Sequence, residues 1–448
     1  MTPKKLKETI RKFIPKQLFS LYYFLWAYLA VQIYRYPGNE LYLIGVTGTN
    51  GKTTTVNVIQ TMLQSNGIRC GLLSTANFKI GNKEWVNQSK NTMLGRFTLQ
   101  KMLRRMVKEG CKAAVVEVSS EGIISHRAWG LNFEILVFTN LFPEHIESHG
   151  SFEKYKKAKQ KIFKNLSSFK RKKLAGFAPQ QLKKTIIANI DSEYAEDFLR
   201  FDADQKIGFG IEKEKSLFAN NIIRALNVKQ SREGLDFILA VEEQKLKIHS
   251  PLLGEVNAYN LLAAACVAQV IGFSYDEIKK GLESFGGVIG RMEKIKSKKG
   301  YDIIIDYALT PDAIQKLYTT LRSLYKGKII AVYGSCGGGR DKKKRPLLGQ
   351  IVSGYADYSI LTNEDPYFED PYEIVKDIEQ GYKNNEKIEK EDYETIINRE
   401  QAIEKALLMV EKEGDVVVIT GKGSETGMNV AGKILPFNDK EIVLKYIR

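Results

Sequence analysis

Cysteine is scarce in this 448-residue chain: Cys70, Cys111, Cys266 and Cys336 are the whole complement, and none lies close to another in sequence. That scarcity excludes a disulfide framework and a cysteine-rich zinc site, and it fits a reducing cytosol. Acidic side chains are also in deficit, 52 Asp and Glu against 68 Lys and Arg, for a net charge of +16. The excess favours anionic partners, whether phosphorylated ligands, nucleic acid or acidic lipid, without choosing among them. No short repeat and no low-complexity tract occurs, which excludes a solenoid. With 43% hydrophobic and 10% aromatic residues the chain is not disordered, and its length leads us to expect two or three cores.

A long hydrophobic run is missing as well. The longest uncharged stretch, from Gln17 to Tyr34, is interrupted by Ser20 and Gln32 and falls short of the roughly 20 apolar residues of a membrane span. Residues 1–16 in front of it are strongly basic, so a span would put everything that follows outside the cell. No A-x-A cleavage site follows, and no signal peptide is expected. Two readings remain: a helix whose aromatic face packs on the folded body, or an interfacial helix with Lys and Arg at lipid headgroups and Tyr22, Tyr23, Phe24 and Trp26 at the boundary.

From Leu41 onward short apolar runs alternate with amphipathic stretches. LYLIGV, AAVVEV and ILVFTN read as buried strands, and TVNVIQTMLQ and TLQKMLRRMV as helices between them. That rhythm predicts an α/β fold with a mainly parallel sheet. Residues 151–173 read as a lysine-rich helix, 175–250 as a less regular region with hairpin-like pieces, and NAYNLLAAACVAQVIG as an Ala-rich helix. KIKSKKG at 294–300 reads as a linker, after which YDIIIDYA, KIIAVYG, YSILT and DVVVITG restart the pattern. The expected organisation is a short helical segment (1–40), a central nucleotide-binding domain (41–294) and a C-terminal Rossmann-like α/β domain (295–448).

The strongest local signal is LYLIGVTGTNGKTTT: a strand, a glycine-rich turn and a helix opening in a threonine cluster. Its glycines allow the tight turn that lets backbone N–H groups and a helix end surround phosphate oxygens. Lys52 supplies a positive charge for the terminal phosphates and Thr53 a hydroxyl for Mg²⁺, so Gly48, Thr49, Asn50, Gly51, Lys52, Thr53 and Thr54 form the candidate ATP site. The spacing G-x-x-G-x-x-G-K-T departs from the usual phosphate-loop template, because Val46 stands where the first glycine belongs. Glu117 ends a buried apolar run, where a sheet edge would present a hard oxygen ligand beside the phosphates.

This spacing, together with further segments in order, resembles the Mur ligase superfamily, which includes the peptidoglycan amino-acid ligases and folylpolyglutamate synthetase. TNLFPEHIESHG…Y…AK is similar to the family's T-N-L-x-x-D-H-x-D-x-H-G…Y…A-K, which places the magnesium-binding histidine at His145 and the carbamate-bearing lysine at Lys159. The implied metal ligands are thus Thr53, Glu117, His145 and Lys159 as N6-carboxylysine, and the implied catalytic groups Lys52, Lys159, His145 and Arg340. The resemblance also implies nucleotide contacts from Asn260, Arg291 and Asp306, and contacts to a muramoyl-peptide acceptor from Asn91, Thr92, Ser119 and Arg127. YGSCGGGRDKKKRP resembles a loop found especially in ligases that add the third residue of the peptidoglycan stem; its Arg340, Asp341, Lys344 and Arg345 suit closure on phosphates. LTNEDPYFEDP aligns with that group's amino-acid-selecting motif, in which diaminopimelate-adding members carry D-N-P-R. Here Tyr367 replaces the arginine and Glu364 and Asp365 remain to attract an amine, with Gly421 and Glu425 of GKGSETG beside them.

Other departures are Glu144 for Asp, and Glu121, Leu309 and Ser424 where histidines are usual. The family's muramyl ligases carry a UDP-gripping domain ahead of the phosphate loop, and residues 1–40 do not resemble it. The implied activity is ATP-dependent ligation of an amino acid (lysine or ornithine before diaminopimelate) to a muramoyl-dipeptide carboxylate through an acyl phosphate. A folylpolyglutamate-synthetase-like or other polymer ligase acting on a non-UDP acceptor is the alternative. A cytoplasmic monomer with ATP and Mg²⁺ is expected, and no nucleic acid partner, since the basic residues are dispersed and no aromatic-interleaved recognition motif occurs.

Overall fold

The computed structural model describes residues 16–89, 91–143, 149–172, 174, 182–339 and 341–447, and it divides into two compact units. The first comprises the described residues up to Lys229 with Asp236–Ser250 and Glu255–Gly286; the second comprises Gln230–Leu235, Pro251–Gly254 and the described residues from Gly287 onward.

The first sheet has eleven strands. In chain order they are β1 (Tyr42–Thr47), β2 (Cys70–Leu73), β3 (Asn77–Ile80), β4 (Lys83–Val86), β5 (Ala113–Glu117), β6 (Ile135–Phe138), β7 (Thr185–Asn189), β8 (Gln205–Gly210), β9 (Asn221–Ser231), β10 (Gly234–Val241) and β11 (Gln244–Ser250). Their spatial order is β11-β10-β9-β8-β7-β6-β1-β5-β2-β3-β4. Strand β1 lies between β5 and β6, parallel to both, with Val46 opposite Glu117 and Thr47 opposite Phe138. It is buried along its whole length, which is why its sequence is an unbroken apolar run rather than an alternation. The region read as irregular contributes three further parallel strands, β7, β8 and β9, of which TIIAN and QKIGFG were too short to stand out. Beside the sheet, the helix Val256–Ile271 packs on the helix Lys52–Ser65; it is apolar nearly all round, and Gly272 closes it at φ 90°.

In the second unit β12 (Glu293–Lys296), β13 (Asp302–Asp306), β14 (Ile329–Tyr333), β15 (Tyr358–Leu361), β16 (Tyr393–Thr395) and β17 (Val416–Thr420) form a six-stranded sheet in the order β12-β13-β17-β14-β15-β16. All pairings are parallel except that of β12 with β13. Residues alternate between two cores, as the pleat demands. Ile304, Ala331, Tyr333 and Val418 pack with the helices Pro311–Leu324, Lys344–Ser353 and Pro371–Asn384, while Ile303, Ile305, Ile330 and Val417 pack with Arg399–Leu408 and Asp439–Tyr446. The stretch KIKSKKG is not a linker: it forms the edge strand β12 and its turn into β13, with Ile295 set against the core between exposed or half-exposed lysines. Lysines on an edge strand also discourage pairing with other chains, and such a strand resembles a linker by composition alone.

The helix Lys16–Ile33 packs against the helix Arg96–Lys108. Ala27, Ala30 and Val31 are buried there, the Phe24 ring meets Trp129 edge-on at 4.8 Å, and the Arg96 guanidinium sits 4.3 Å from the Tyr23 ring centroid. One face of the aromatic segment therefore packs on the folded body.

Candidate functional site

The turn after β1 is held by close backbone approach. A Cβ at Gly48 would sit 1.9 Å from Thr139 Oγ1, and one at Gly51, where φ is +81°, would sit 2.6 Å from Asn260 Oδ1. Neither position tolerates a side chain. The Thr49 N–H donates to the Asn140 carbonyl at 2.9 Å, the Asn50 N–H to Asn140 Oδ1 at 2.9 Å, and the Thr139 hydroxyl to the Asn50 carbonyl at 2.7 Å. Lys52 folds back to donate to the Thr49 carbonyl at 2.7 Å. The helix it opens has no acidic residue in its first turn, so its positive end faces the loop undiminished.

Around this loop the structure gathers several of the expected groups. The Thr53 hydroxyl donates to Glu117 Oε2 at 3.0 Å, and the same oxygen accepts the Thr75 N–H at 2.7 Å. Asn260 accepts from the Thr55 hydroxyl at 3.0 Å and is oriented by Asn257 at 2.8 Å, so this buried amide braces the junction of loop and helix. Lys159 is 2% exposed, and its ammonium donates to the Gly48 carbonyl at 2.7 Å, 4.8 Å from the Tyr155 ring centroid. Its lysine neighbours Lys154, Lys157, Lys161 and Lys164 are all exposed. A solvated lysine of a lysine-rich helix is therefore not its environment: one lysine of this helix is turned into the loop.

Thr53 and Glu117 place hard oxygens where Mg²⁺ would need them, and such an ion usually takes only one or two protein carboxylates and completes its shell with water and phosphate oxygens. The donor set fits, although no group of three His, Cys, Asp or Glu among the described residues could hold a metal by itself. His145 lies outside the described residues, as do Glu144, Glu147 and Arg340.

The residues expected to meet an acceptor form one patch. Arg127 Nη1 donates to the Met93 carbonyl at 2.6 Å, next to the half-buried Thr92 and the exposed Asn91. Ser119 caps the helix Ser120–Ile124 through the Gly122 N–H at 3.1 Å, and a Cβ on Gly122 would lie 2.3 Å from Met93 Sδ.

In the second unit Asp306, at the end of β13, accepts the N–H groups of Met292 and Ala308, each at 2.7 Å, and Arg291 stacks 4.4 Å from the Tyr307 ring centroid. Glu364 and Asp365 are not open acids awaiting an amine. Asp365 is buried and holds Lys422 at 2.9 Å and the Asn429 N–H at 2.8 Å, and Lys422 also holds Glu425 at 2.6 Å. Glu364 accepts from the Cys336 thiol at 2.7 Å; its other oxygen has no hydrogen-bond partner among the described residues and lies 2.8 Å from where a Gly421 Cβ would be. Burial pushes the Glu364 carboxyl above the usual carboxylate range, against the pull of the thiol and of Arg399 and Lys422. Arg345 likewise is no surface phosphate ligand: it is buried, paired with Asp377 at 2.9 Å and Glu369 at 3.2 Å, while Lys344 donates to the Leu309 carbonyl at 2.9 Å.

Two sets of residues escaped sequence reasoning. Thr139 and Asn140, which hold the loop, stood in the sequence as the polar end of the apolar run ILVFTN and the opening of the T-N-L-x-x-D-H resemblance, with no role of their own. Arg399 makes a bidentate pair with Asp439 at 2.8 Å and also donates to the carbonyls of Thr420 (2.9 Å) and Asn363 (3.2 Å), so it anchors the residue before Gly421 and the residue before Glu364 at once. Nothing local announces it, because its partners are 21 to 40 positions away.

Residues 46–268 match the Mur ligase middle domain and residues 290–423 the Mur ligase glutamate ligase domain. The chain is 37% identical to the UDP-N-acetylmuramoyl-L-alanyl-D-glutamate–2,6-diaminopimelate ligase of Halalkalibacterium halodurans, over 94% of this chain and 81% of that protein. It is 36% identical, with the same coverage, to a Clostridium acetobutylicum protein of the same name, numbered 1. A solved diaminopimelate ligase of this kind superposes with a TM-score of 0.63 at 30% identity, covering 91% of this chain and 78% of the other. The Mycobacterium tuberculosis folylpolyglutamate synthase, solved with ADP and AMPPCP, shares the fold at TM-score 0.68 and 16% identity, covering 89% and 92%.

Proposed function

The chain belongs to the Mur ligase family of enzymes, and on that premise we propose that it joins an amino acid to the carboxylate of a muramoyl-dipeptide acceptor at the expense of ATP, a step of peptidoglycan synthesis in the cytoplasm. The observation that carries this reading is the buried Lys159 ammonium, 2.7 Å from the carbonyl of Gly48 in a loop whose next helix bonds Thr53 to Glu117.

In this reading the N–H groups that open the helix Lys52–Ser65, and the Lys52 ammonium once it leaves the Thr49 carbonyl, hold the triphosphate and neutralise the charge that moves onto its leaving oxygens. Thr53 and Glu117 supply oxygen ligands for Mg²⁺, which when bound screens phosphate charge and polarises the transferred group. Lys159 acts as its N6-carboxy form: carbon dioxide adds to the neutral amine and a proton leaves, so a cation that would repel the metal becomes an anion on a long stem. The acceptor carboxylate takes the terminal phosphoryl group, and the amine of the incoming amino acid then displaces phosphate. Asn91, Thr92, Ser119 and Arg127 form the acceptor patch. The inward pairing of Asp365 with Lys422 leaves Tyr367 and the orphan oxygen of Glu364 as the groups that distinguish this amino-acid pocket from one carrying D-N-P-R. The diaminopimelate named in the relatives is the first substrate to try, with lysine and ornithine beside it.

The test is phosphate release from ATP by the purified chain with UDP-muramoyl dipeptide and a panel of diaminopimelate, lysine, ornithine and alanine. Release that requires both acceptor and one amino acid supports the reading. A panel flat at the no-acceptor rate rejects the acceptor, and release with a folate or poly-amino-acid acceptor instead moves the enzyme to another pathway.

A further inference from the structure

The helix Lys16–Ile33 is apolar on two sides, and the body covers one. Ala27, Ala30 and Val31 face inward and are buried. On the other side Leu18, Leu21, Tyr22, Leu25, Leu29 and Ile33 recur at the three- and four-residue spacing of a single helix face, each 44–56% exposed. Trp26 adjoins them, 41% exposed. The stripe runs the length of an 18-residue helix, about 27 Å, with no charged residue from Gln17 to Tyr34 to interrupt it. Single exposed leucines are ordinary on a protein surface, but a continuous stripe of this kind marks a surface that something covers.

The charge near the stripe is predominantly basic. In the sequence just ahead of the helix, residues 1–16 hold six Lys or Arg against one acid, Glu8. The helix Arg96–Lys108, packed against the stripe's own helix, carries five basic residues and no acidic one, of which Arg104 pairs with Glu40 and Arg105 with Glu109. A second copy of the chain would bring two such basic regions together across the stripe, which opposes self-association. An anionic surface meets both features at once. No helix among the described residues is long and apolar enough to cross a membrane, so the helix would lie in the plane of the surface.

We propose that this face docks on an anionic lipid bilayer. The leucines, Tyr22 and Trp26 enter the boundary between headgroups and acyl chains, and the basic residues beside the helix meet the lipid phosphates. The ligase then works at a membrane surface, a property independent of which amino acid it adds.

The experiment uses the full chain in co-sedimentation with phosphatidylcholine vesicles, with and without phosphatidylglycerol, at low and high salt. The wild type should partition at least about tenfold better onto the anionic vesicles, lose that gain as salt rises, and show a blue shift of Trp26 fluorescence that Trp26→Phe removes. The triple variant Leu21→Glu/Leu25→Glu/Leu29→Glu alters only exposed positions and should keep its thermal midpoint while losing vesicle binding. Equal sedimentation with and without vesicles overturns the proposal. So does unchanged binding by the triple variant, which would reduce the attraction to charge alone. A wild-type dimer in light scattering that the triple variant dissolves would assign the stripe to a second copy instead.

Discussion

The two units build their sites from different materials. Around the phosphate loop nearly every contact is neutral: backbone N–H groups of Thr49 and Asn50, the hydroxyl of Thr139 and the amides of Asn140 and Asn260. A single buried cation, Lys159, stands among them. The site of the second unit is instead laced with paired buried cations: Arg399 with Asp439, Lys422 between Asp365 and Glu425, and Arg345 between the partly exposed Glu369 and Asp377. Among the described residues the first unit has such a cluster only at the far end of β6 from the loop, where Glu134 holds Lys172 and Lys184. The contacts around the loop brace it with neutral groups and leave the positive end of the helix Lys52–Ser65 for an anion, whereas an ion pair spends its charge on its neighbour. The first arrangement is suited to binding phosphate, and the second to holding loops in place.

If this neutrally braced loop does the phosphate work, its two lysines are where the largest losses lie. Lys52→Ala should lower turnover about a hundred- to a thousandfold in the phosphate-release assay, with little change in thermal midpoint, because Lys52 is half-buried and the loop is braced by other groups. A variant within a few-fold of wild type would remove Lys52 from the transfer step. Lys159→Met tests the lone buried cation. Loss of most turnover, partial recovery with an added small carboxylate, and a carbamate carbon resonance from carbon-13 bicarbonate that this variant lacks would together assign the modified lysine. Full turnover in Lys159→Met would leave it as a structural donor to Gly48.

The same contrast explains what could be read from the chain in advance. The phosphate loop was legible because its constraints are local: Gly48, Gly51, Lys52 and Thr53 sit within six positions, and their spacing is their geometry. The α/β rhythm was legible for the same reason, strand by strand, through β1, β5, β6, β13, β14, β15 and β17. What stayed hidden was non-local. Glu364 and Asp365 looked like free acids because Lys422, 57 positions beyond Asp365, carries no mark of its partner. Arg345 looked like a phosphate ligand because Asp377 lies 32 positions on. A charged residue in a sequence looks solvated until the chain closes on it.

Breaking one ion pair should show that the second unit's charges are scaffold. Arg399→Met leaves Asp439 buried and unpaired and frees the carbonyls of Asn363 and Thr420, so it should cost about 3–5 kcal/mol in denaturant unfolding. The double variant Arg399→Met/Asp439→Leu should recover much of that loss, since removing both partners removes the unpaired charge. A single variant as stable as wild type would mean the pair is solvated in the working enzyme, and the contrast between the units would fail there.

The smallest effect tests the pair nearest solvent. The Lys342 ammonium first, then the Arg345 guanidinium and the Gly339 N–H, hold the partly exposed Glu369 carboxyl down from its ordinary 4.5 to about 2. Between those values the unfolded chain binds more protons than the folded one, so stability from this group is fully present above about pH 4.5 and is lost as pH falls toward 2. Wild type should therefore exceed Glu369→Gln above pH 4.5, by no more than about 1 kcal/mol given solvent screening, and the difference should fade on acidification. Arg345 keeps Asp377 in that variant, so the glycine-rich loop stays tethered. A difference of several kcal/mol that persists at pH 2 would show that Glu369 acts through packing rather than charge, and would make this edge of the second unit resemble the neutral bracing of the first.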